Sequence, residues 1–174
     1  MRKILFLFLA VVFSFSSEIE ELFKKKEYTQ ICKKRWDYIN KYRFKNENLL
    51  SLVAYSCLKF NYITPALDVA KALVATKEGR DNAVYISSLF LMKKLLISLI
   101  KDNMNIKSLR LPVIKDNLLG KVFYLIQKNG YDKEGGKIIV VDGTKTYNVW
   151  LSDDFNVVIA VYQDGKQIKM VYYW

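Results

Sequence analysis

Two Asp-Gly pairs in the last quarter of the chain constrain its fold more than any other sequence feature. Asp142-Gly143 and Asp164-Gly165 separate runs of β-branched and aromatic residues. Asp-Gly favours the two-residue turns of β-hairpins, because the central positions of these turns take positive φ angles. Ser152-Asp153-Asp154 indicates a third turn between two such runs. The region is therefore predicted to form a four-stranded antiparallel β-meander, with strands at 137–141, 146–151, 156–162 and 167–173.

The residues before this region have the opposite character, which is typical of helices. Residues 18–128 contain long stretches without glycine, and apolar residues recur every three or four positions. One apolar stripe over 28–39 predicts a single helix. Thr64-Pro65 and Leu111-Pro112 mark the starts of two later helices. The predicted fold class is α+β: a signal peptide (1–16), a domain of antiparallel helical hairpins (17–130), and the meander (131–174) packed on the last helix.

The N-terminus has the pattern of a secretory signal peptide. Arg2-Lys3 precedes an uncharged apolar run over 4–13, and Ser14 and Ser16 supply small residues for cleavage after Ser16. The alternative is an uncleaved anchor helix, which needs about 20 apolar residues. Glu18 ends the apolar run well before that length. We therefore expect export to the periplasm or the extracellular space.

A second apolar stretch over 85–100 also needs to be compared with a membrane span. Lys93 and Lys94 lie in its middle. Each of these charges is costly at the centre of a bilayer. The stretch is therefore predicted to be a largely buried helix of a soluble protein.

Large and small apolar residues alternate over 47–80 in a pattern known from one helical repeat. The residues that carry the pattern are Leu50, Val53-Ala54, Cys57, Asn61, Ile63, Ala66, Ala70 and Leu73. A less complete version precedes it over 19–44, with Phe23, Glu27-Tyr28, Cys32, Trp36 and Ile39. Residues 19–80 thus resemble tetratricopeptide repeats, 34-residue units of two antiparallel helices.

The resemblance implies a groove that binds peptides or proteins, lined by the first helix of each unit. The alternative is that the residues at these positions are ordinary solvated or packed side chains. Carried over position by position, the partner-binding residues are Asn48, Ser51, Tyr55, Lys59, Asn82, Tyr85 and Lys93.

Cys32 and Cys57 are the two cysteines of the chain. They lie at nearly equal distances on either side of the predicted turn at 44–46, so an antiparallel hairpin places them level with each other. In an oxidising compartment this arrangement predicts a disulfide. The alternative is a pair of free buried thiols.

The composition excludes several classes of chemistry. The chain has no histidine, so it can have neither a Ser-His-Asp triad nor a histidine metal ligand. Two cysteines cannot make a four-thiolate zinc site. Asp153-Asp154 belongs to a predicted turn, and Gly135-Gly136 lacks the preceding strand of a phosphate loop. We therefore expect no catalysis, no metal and no cofactor.

The formal net charge of +11 points to an acidic partner. All of the excess outside the predicted signal peptide lies before residue 137. For an exported chain, a peripheral contact with an anionic membrane surface is favoured over nucleic acid. The predicted function is a non-catalytic binding or scaffold module for a protein or peptide of the cell envelope. The alternative is an outer-membrane-associated assembly component, because the aromatic-ended segment 168–174 resembles the C-terminal signal of β-barrel proteins.

Overall fold

The computed structural model describes residues 17–174, so the predicted signal peptide lies outside the described residues. These residues form seven helices and five strands, and the α+β class is confirmed. The elements are α1 (Glu18–Lys24), α2 (Tyr28–Lys33), α3 (Arg35–Tyr42), α4 (Glu47–Leu58), α5 (Ile63–Ala70), α6 (Lys77–Asp102), α7 (Leu118–Asn129), β1 (Asp132–Glu134), β2 (Lys137–Asp142), β3 (Lys145–Leu151), β4 (Val157–Gln163) and β5 (Lys166–Tyr173).

The helix predicted over 28–39 is two helices, α2 and α3, which meet at Lys34. Lys34 is the C-cap of α2 and the N-cap of α3, and its backbone (φ −85°, ψ 12°) leaves the α-helical range. Trp36, which the sequence predicts to line the apolar stripe, is instead 51% exposed. Tyr38 and Ile39 are the buried residues of α3.

The last two helices begin at side-chain caps rather than at prolines. Thr76 accepts a hydrogen bond from the backbone N–H of Gly79 at the start of α6. Asn117 accepts one from Leu119 at the start of α7. Leu111-Pro112 therefore lies in the connection before α7, and the predicted helix start at this pair is wrong.

The sheet has five strands in the order β1-β2-β3-β4-β5, and every neighbouring pair is antiparallel. The β-meander is thus present, with one strand more than the predicted four. The additional strand is β1, which pairs with β2 across Gly135 and Gly136, both at positive φ. Its sequence, Asp-Lys-Glu, is fully exposed and has no apolar alternation, so no strand pattern marks it.

The buried side chains form two clusters that share α6. One cluster joins α1–α5 to the first turns of α6, ending at Ile86. The other contains Ile63 of α5 and joins α6 from Leu89 onward to α7 and the inner face of the sheet. Leu58 and Tyr85 pack against both clusters. The backbone of Trp174 adds a link, because its carbonyl accepts from Ile63 and its N–H donates to Asn61.

Among the described residues, α6 is long and apolar enough to cross a membrane by length and composition. Its most apolar window is 44% buried inside the protein. The apolar side chains of α6 serve two clusters at different positions along the helix, one up to Ile86 and the other from Leu89 onward. This double use accounts for its unusual hydropathy within the fold.

Gly120, in the first turn of α7, allows a close approach to the connection before the helix. A Cβ atom there would lie 2.6 Å from the carbonyl oxygen of Ile114. Gly120→Ala is therefore expected to destabilise the protein by about 1–3 kcal/mol, despite the better helix propensity of alanine. Thermal denaturation measures the change. A rise in the melting temperature would contradict the close packing of α7 on Ile114.

Candidate functional site

An open groove of about 840 Å³ lies between α4, the N-terminal half of α6 and the connection before α7. Its lining includes Leu58 and Tyr85, the two residues that pack against both core clusters. The groove therefore sits where the two clusters meet. The full lining is Phe23, Ser51, Leu52, Ala54, Tyr55, Leu58, Lys59, Asn82, Tyr85, Ile86, Asp116 and Asn117.

Five of the seven predicted partner-binding residues line this groove. Ser51, Tyr55 and Lys59 follow α4 at intervals of four, and residues at this spacing share one face of a helix. Asn82 and Tyr85 are three apart on α6 and face them. The structure thus brings five side chains from two helices together, and their role in binding stays a prediction.

The other two predicted residues lie elsewhere. Asn48 is exposed in the first turn of α4 and does not line the groove. Lys93 lies eight residues beyond Tyr85 on α6 and is only 6% exposed. Burial, and then the charge of Lys94, lower the pKa of Lys93 to about 8. A buried lysine on the core side of α6 is poorly placed to contact a partner.

Aromatic rings form one wall of the groove. The ring centroid of Phe23 lies 5.2 Å from that of Tyr28 and 5.6 Å from that of Tyr55. Tyr28 and Tyr55 are 6.2 Å apart in an edge-to-face arrangement. The Nζ atom of Lys59 lies 4.7 Å from the Tyr55 ring centroid, within cation–π range. This wall offers an apolar surface beside one positive charge.

Polar groups form the opposite wall. The hydroxyl of Tyr85 donates to Oδ2 of Asp116 at 3.2 Å. Burial, followed by the charge of Asp116 and this hydrogen bond, raises the pKa of Tyr85 to about 12. Asn82 donates from Nδ2 to the hydroxyl of Ser51 at 3.0 Å, which joins α6 to α4 across the groove. Tyr85 therefore stays protonated at neutral pH, as a hydrogen-bond donor.

Sequence reasoning missed the residues that complete the groove. Phe23 comes from α1, and Asp116-Asn117 come from the connection before α7. Asn117 carries a recognisable signal, because asparagine is a preferred helix N-cap. Placing the helix start at Leu111-Pro112 put this pair inside a helix and hid that signal.

Glu47 fixes the geometry of the two helices that carry the groove. It is a buried carboxylate in the first turn of α4, and it binds the loop that starts α6. Its Oε1 accepts from the backbone N–H groups of Val74 and Ala75 at 2.6 Å each. Its Oε2 accepts from the backbone N–H and the hydroxyl of Thr76, both at 2.8 Å. Four charge-assisted hydrogen bonds thus hold the start of α4 to the start of α6.

Gly79 permits this arrangement, because a Cβ atom at residue 79 would overlap the carboxylate of Glu47. Arg80 completes the loop from the other side. Its guanidinium donates to the carbonyl oxygens of Val74 at 3.1 Å and Ala75 at 2.8 Å. Val74 and Ala75 therefore have both their backbone N–H groups and their carbonyl groups paired.

The predicted disulfide between Cys32 and Cys57 is present, with the Cα atoms 4.9 Å apart. It joins α2 to the last turn of α4, two residues before the groove residue Lys59. An ion pair of 3.1 Å between Arg35 and Asp68 joins α3 to α5. Covalent and ionic links thus hold α4 and its neighbours in place behind the groove.

Asp116 and Lys59 are the charged side chains in the lining of the groove. Within residues 17–174, no three His, Cys, Asp or Glu side chains are grouped so that they could hold a metal ion. The chain matches no protein family, no curated protein and no solved structure when their sequences and folds are compared with it. Its function is therefore argued from the geometry of the groove.

Proposed function

We propose that the protein is an exported binding or scaffold module of the cell envelope, without catalytic activity, which holds a peptide segment of a partner protein in this groove. The observation that carries the proposal is the groove itself. Three helices and one connection bring an aromatic wall, one cation, one carboxylate and two amide side chains around one open space of about 840 Å³. Peptide-binding grooves combine these features, since apolar pockets hold side chains and polar groups hold the peptide backbone.

The lining favours a segment with an aromatic or aliphatic residue next to an acidic one. An apolar side chain would pack on Phe23 and Tyr55, and a neighbouring carboxylate would meet Lys59. Asn82 can both donate to and accept from a peptide group. The positive net charge of the protein would add long-range attraction for an acidic partner.

The proposal includes a tetratricopeptide-like arrangement of α1–α5 and export through the segment 1–16. The packing of α4 on α5 and of α2 on α4 supports the first part. The disulfide supports the second part weakly, because disulfides persist in oxidising compartments. Mass spectrometry of the secreted protein would test export, since cleavage after Ser16 leaves Ser17 as the first residue.

Replacing two groove residues tests the binding site. Peptides of random sequence displayed on phage would be selected on the immobilised protein, and the affinity of the selected peptides measured by fluorescence anisotropy. Tyr55→Ala with Lys59→Glu removes part of the aromatic wall and reverses its charge. We expect the dissociation constant to rise at least about tenfold.

A matched control is available on β5, away from the groove. Tyr172 is about as exposed as Tyr55, at 39% against 44%, and Lys169 on the same strand is exposed. Tyr172→Ala with Lys169→Glu makes the same chemical changes away from the groove. Selected peptides should bind this control like the unchanged protein. Peptides that bind the groove variant with unchanged affinity would show that the groove is not their site.

The alternative role in outer-membrane assembly would use β5. This strand is paired with β4 along its length, and Trp174 is hydrogen-bonded to the turn between α4 and α5. The strand would have to leave these partners before it could act as an assembly signal. Binding a peptide in the groove requires no such rearrangement. Peptide binding is therefore the function we put forward.

A further inference from the structure

The positive charge of the described residues is concentrated in one short segment. Residues 24–45 contain nine Lys and Arg against two Asp and Glu, a net charge of +7 in 22 residues. Residues 17–174 as a whole carry +9. The segment spans α2 and α3, which lie on the outside of the first core cluster.

Two aromatic side chains in this segment are more than half exposed. Trp36, in the first turn of α3, is 51% exposed, and Phe44, just after α3, is 67% exposed. Each ring lies beneath a cation of the chain. The guanidinium of Arg35 is 5.4 Å from the Trp36 ring centroid, and that of Arg43 is 4.8 Å from the Phe44 ring centroid. We call Lys33, Lys34, Trp36, Lys41, Arg43, Phe44 and Lys45 the basic aromatic surface.

Phe44 is unfavourable for folding in two respects. Its φ of 61° places a bulky residue in the left-handed region, which glycine and asparagine occupy at lower cost. Its ring gains little from burial, since most of it faces water. Folding stability alone would favour asparagine or glycine at this position. The phenylalanine ring is thus available for contacts outside the chain.

The surface is held rigidly from behind. The disulfide joins α2 to α4, and the pair between Arg35 and Asp68 joins α3 to α5. Tyr38 and Ile39 on the other face of α3 are buried in the first core cluster. The carboxylates near this surface are too few to neutralise its lysines and arginines. Glu18 pairs with Lys34 at 2.8 Å, and Asp37 is exposed within the segment.

We propose that the basic aromatic surface docks the protein on an anionic lipid bilayer. Trp36 and Phe44 would enter the boundary between headgroups and acyl chains, where aromatic side chains are favoured. The surrounding lysines and arginines would contact the lipid phosphates, and each contributes to attraction toward an anionic surface. The groove is lined by residues of α1, α4, α6 and the connection before α7, whereas the basic aromatic surface lies at the end of α2, on α3 and just after it, so a docked protein would still present the groove to a peptide.

The arrangement of the rings favours lipid over single-stranded nucleic acid. Bases bind such proteins by stacking on open aromatic faces. Here Arg35 and Arg43 already occupy a face of Trp36 and of Phe44. Entry of the ring edge into a bilayer keeps these cations in place, at the level of the headgroups.

Vesicle sedimentation tests the proposal with the chain from Ser17 onward, which contains every described helix, strand and core residue. Vesicles of phosphatidylcholine alone are compared with vesicles of equal parts phosphatidylcholine and phosphatidylglycerol. We expect the protein to bind the anionic vesicles at least about tenfold more tightly. Lys41→Gln, Arg43→Gln and Lys45→Gln together should lower that affinity about 100-fold. Equal binding to both vesicle types would overturn the proposal.

Two further variants separate this surface from net charge and from folding. Lys128→Gln, Lys166→Gln and Lys169→Gln remove the same charge from exposed positions elsewhere, and this control should keep most of the affinity. Phe44→Asn should lower the affinity about tenfold without lowering the melting temperature, because asparagine accepts the left-handed conformation. Equal losses in both triple variants, or unchanged binding of Phe44→Asn, would overturn the assignment. Tighter binding of oligothymidylate than of anionic vesicles would replace lipid by nucleic acid as the partner.

Discussion

Glu47→Gln is expected to lower the free energy of unfolding by about 3 kcal/mol at neutral pH. The substitution keeps the shape of the side chain but removes its negative charge. The two carboxylate oxygens accept four hydrogen bonds from Val74, Ala75 and Thr76. It also turns an amide NH₂ group toward backbone N–H donors. Buried donors left without an acceptor are costly. Urea denaturation of the variant and the unchanged protein measures the loss.

The pH dependence of this loss has a defined sign. Burial alone would raise the pKa of Glu47, but the hydrogen bonds from Ala75, Thr76 and Val74 outweigh it and lower the pKa from 4.5 to about 2. A carboxyl group with a lowered pKa stabilises the fold fully above its unfolded value. That contribution is lost as the pH falls from 4.5 toward 2. The difference between the two proteins should therefore be constant near neutral pH and shrink over this acidic range.

Glu78→Gln is the control, since Glu78 is an exposed glutamate in the first turn of α6. It should change the free energy of unfolding by less than about 0.5 kcal/mol. A loss in Glu47→Gln that stays the same down to the lowest pH would contradict the role assigned to the carboxylate.

Removing the disulfide is the second change with a large expected effect. Cys32 and Cys57 close a loop with a sequence separation of 25, and such a bridge stabilises by about 3 kcal/mol in the chain-entropy model. For a protein of this size, Cys32→Ala with Cys57→Ala should lower the melting temperature by about 10 °C. Differential scanning calorimetry measures the shift. Reduction of the unchanged protein should produce a shift of similar size.

Alkylation provides an independent check of the same bond. The unchanged protein should take up no alkylating reagent under native, non-reducing conditions, and two equivalents after reduction and unfolding, because the structure contains no free cysteine among residues 17–174. Two reactive thiols in the untreated protein would contradict the bridge. A melting temperature unchanged by the double substitution would show that the bridge closes a loop already ordered in the unfolded chain.

The sequence predicts the strands of the sheet that are joined by short turns, because the residues of those turns are recognisable in the sequence. Asp164-Gly165 forms the two-residue turn between β4 and β5, with both residues at positive φ as expected. Between β2 and β3 the turn is Gly143-Thr144, because Asp142 is the last residue of β2 and pairs with Lys145. The strand β1 could not be predicted, because three exposed polar residues carry no strand pattern. Its pairing depends on Gly135 and Gly136 folding the chain back onto β2.

The helices show where periodicity stops being informative. A single stripe over 28–39 predicts one helix, yet the helix is broken at Lys34 and Trp36 is exposed. An apolar stripe specifies which residues could be buried, and tertiary packing decides which of them are. The same limit applies at Trp36 and Phe44, whose exposure is the basis of the proposed bilayer contact.

The sequence predicts some of the residues that line the candidate groove and misses others. Spacing along α4 and α6 gathered Ser51, Tyr55, Lys59, Asn82 and Tyr85, since side chains three or four apart share a helix face. Asp116-Asn117 and Phe23 arrive from distant parts of the chain. Their position depends on how α7 and α1 pack, and no local pattern encodes it.

The sharing of α6 between two clusters determines how the protein can be divided into fragments. A fragment ending near residue 130 would keep the groove but remove the sheet from the cluster that contains Leu89, Leu96 and Leu99 of α6. A fragment starting after α5 would keep the sheet but uncover Ile86, nearer the N-terminal end of the same helix. Either cut leaves a long apolar stripe in water, which is a route to aggregation. The groove and the sheet therefore belong to one structural unit built on a single helix, and neither is expected to fold well without the other.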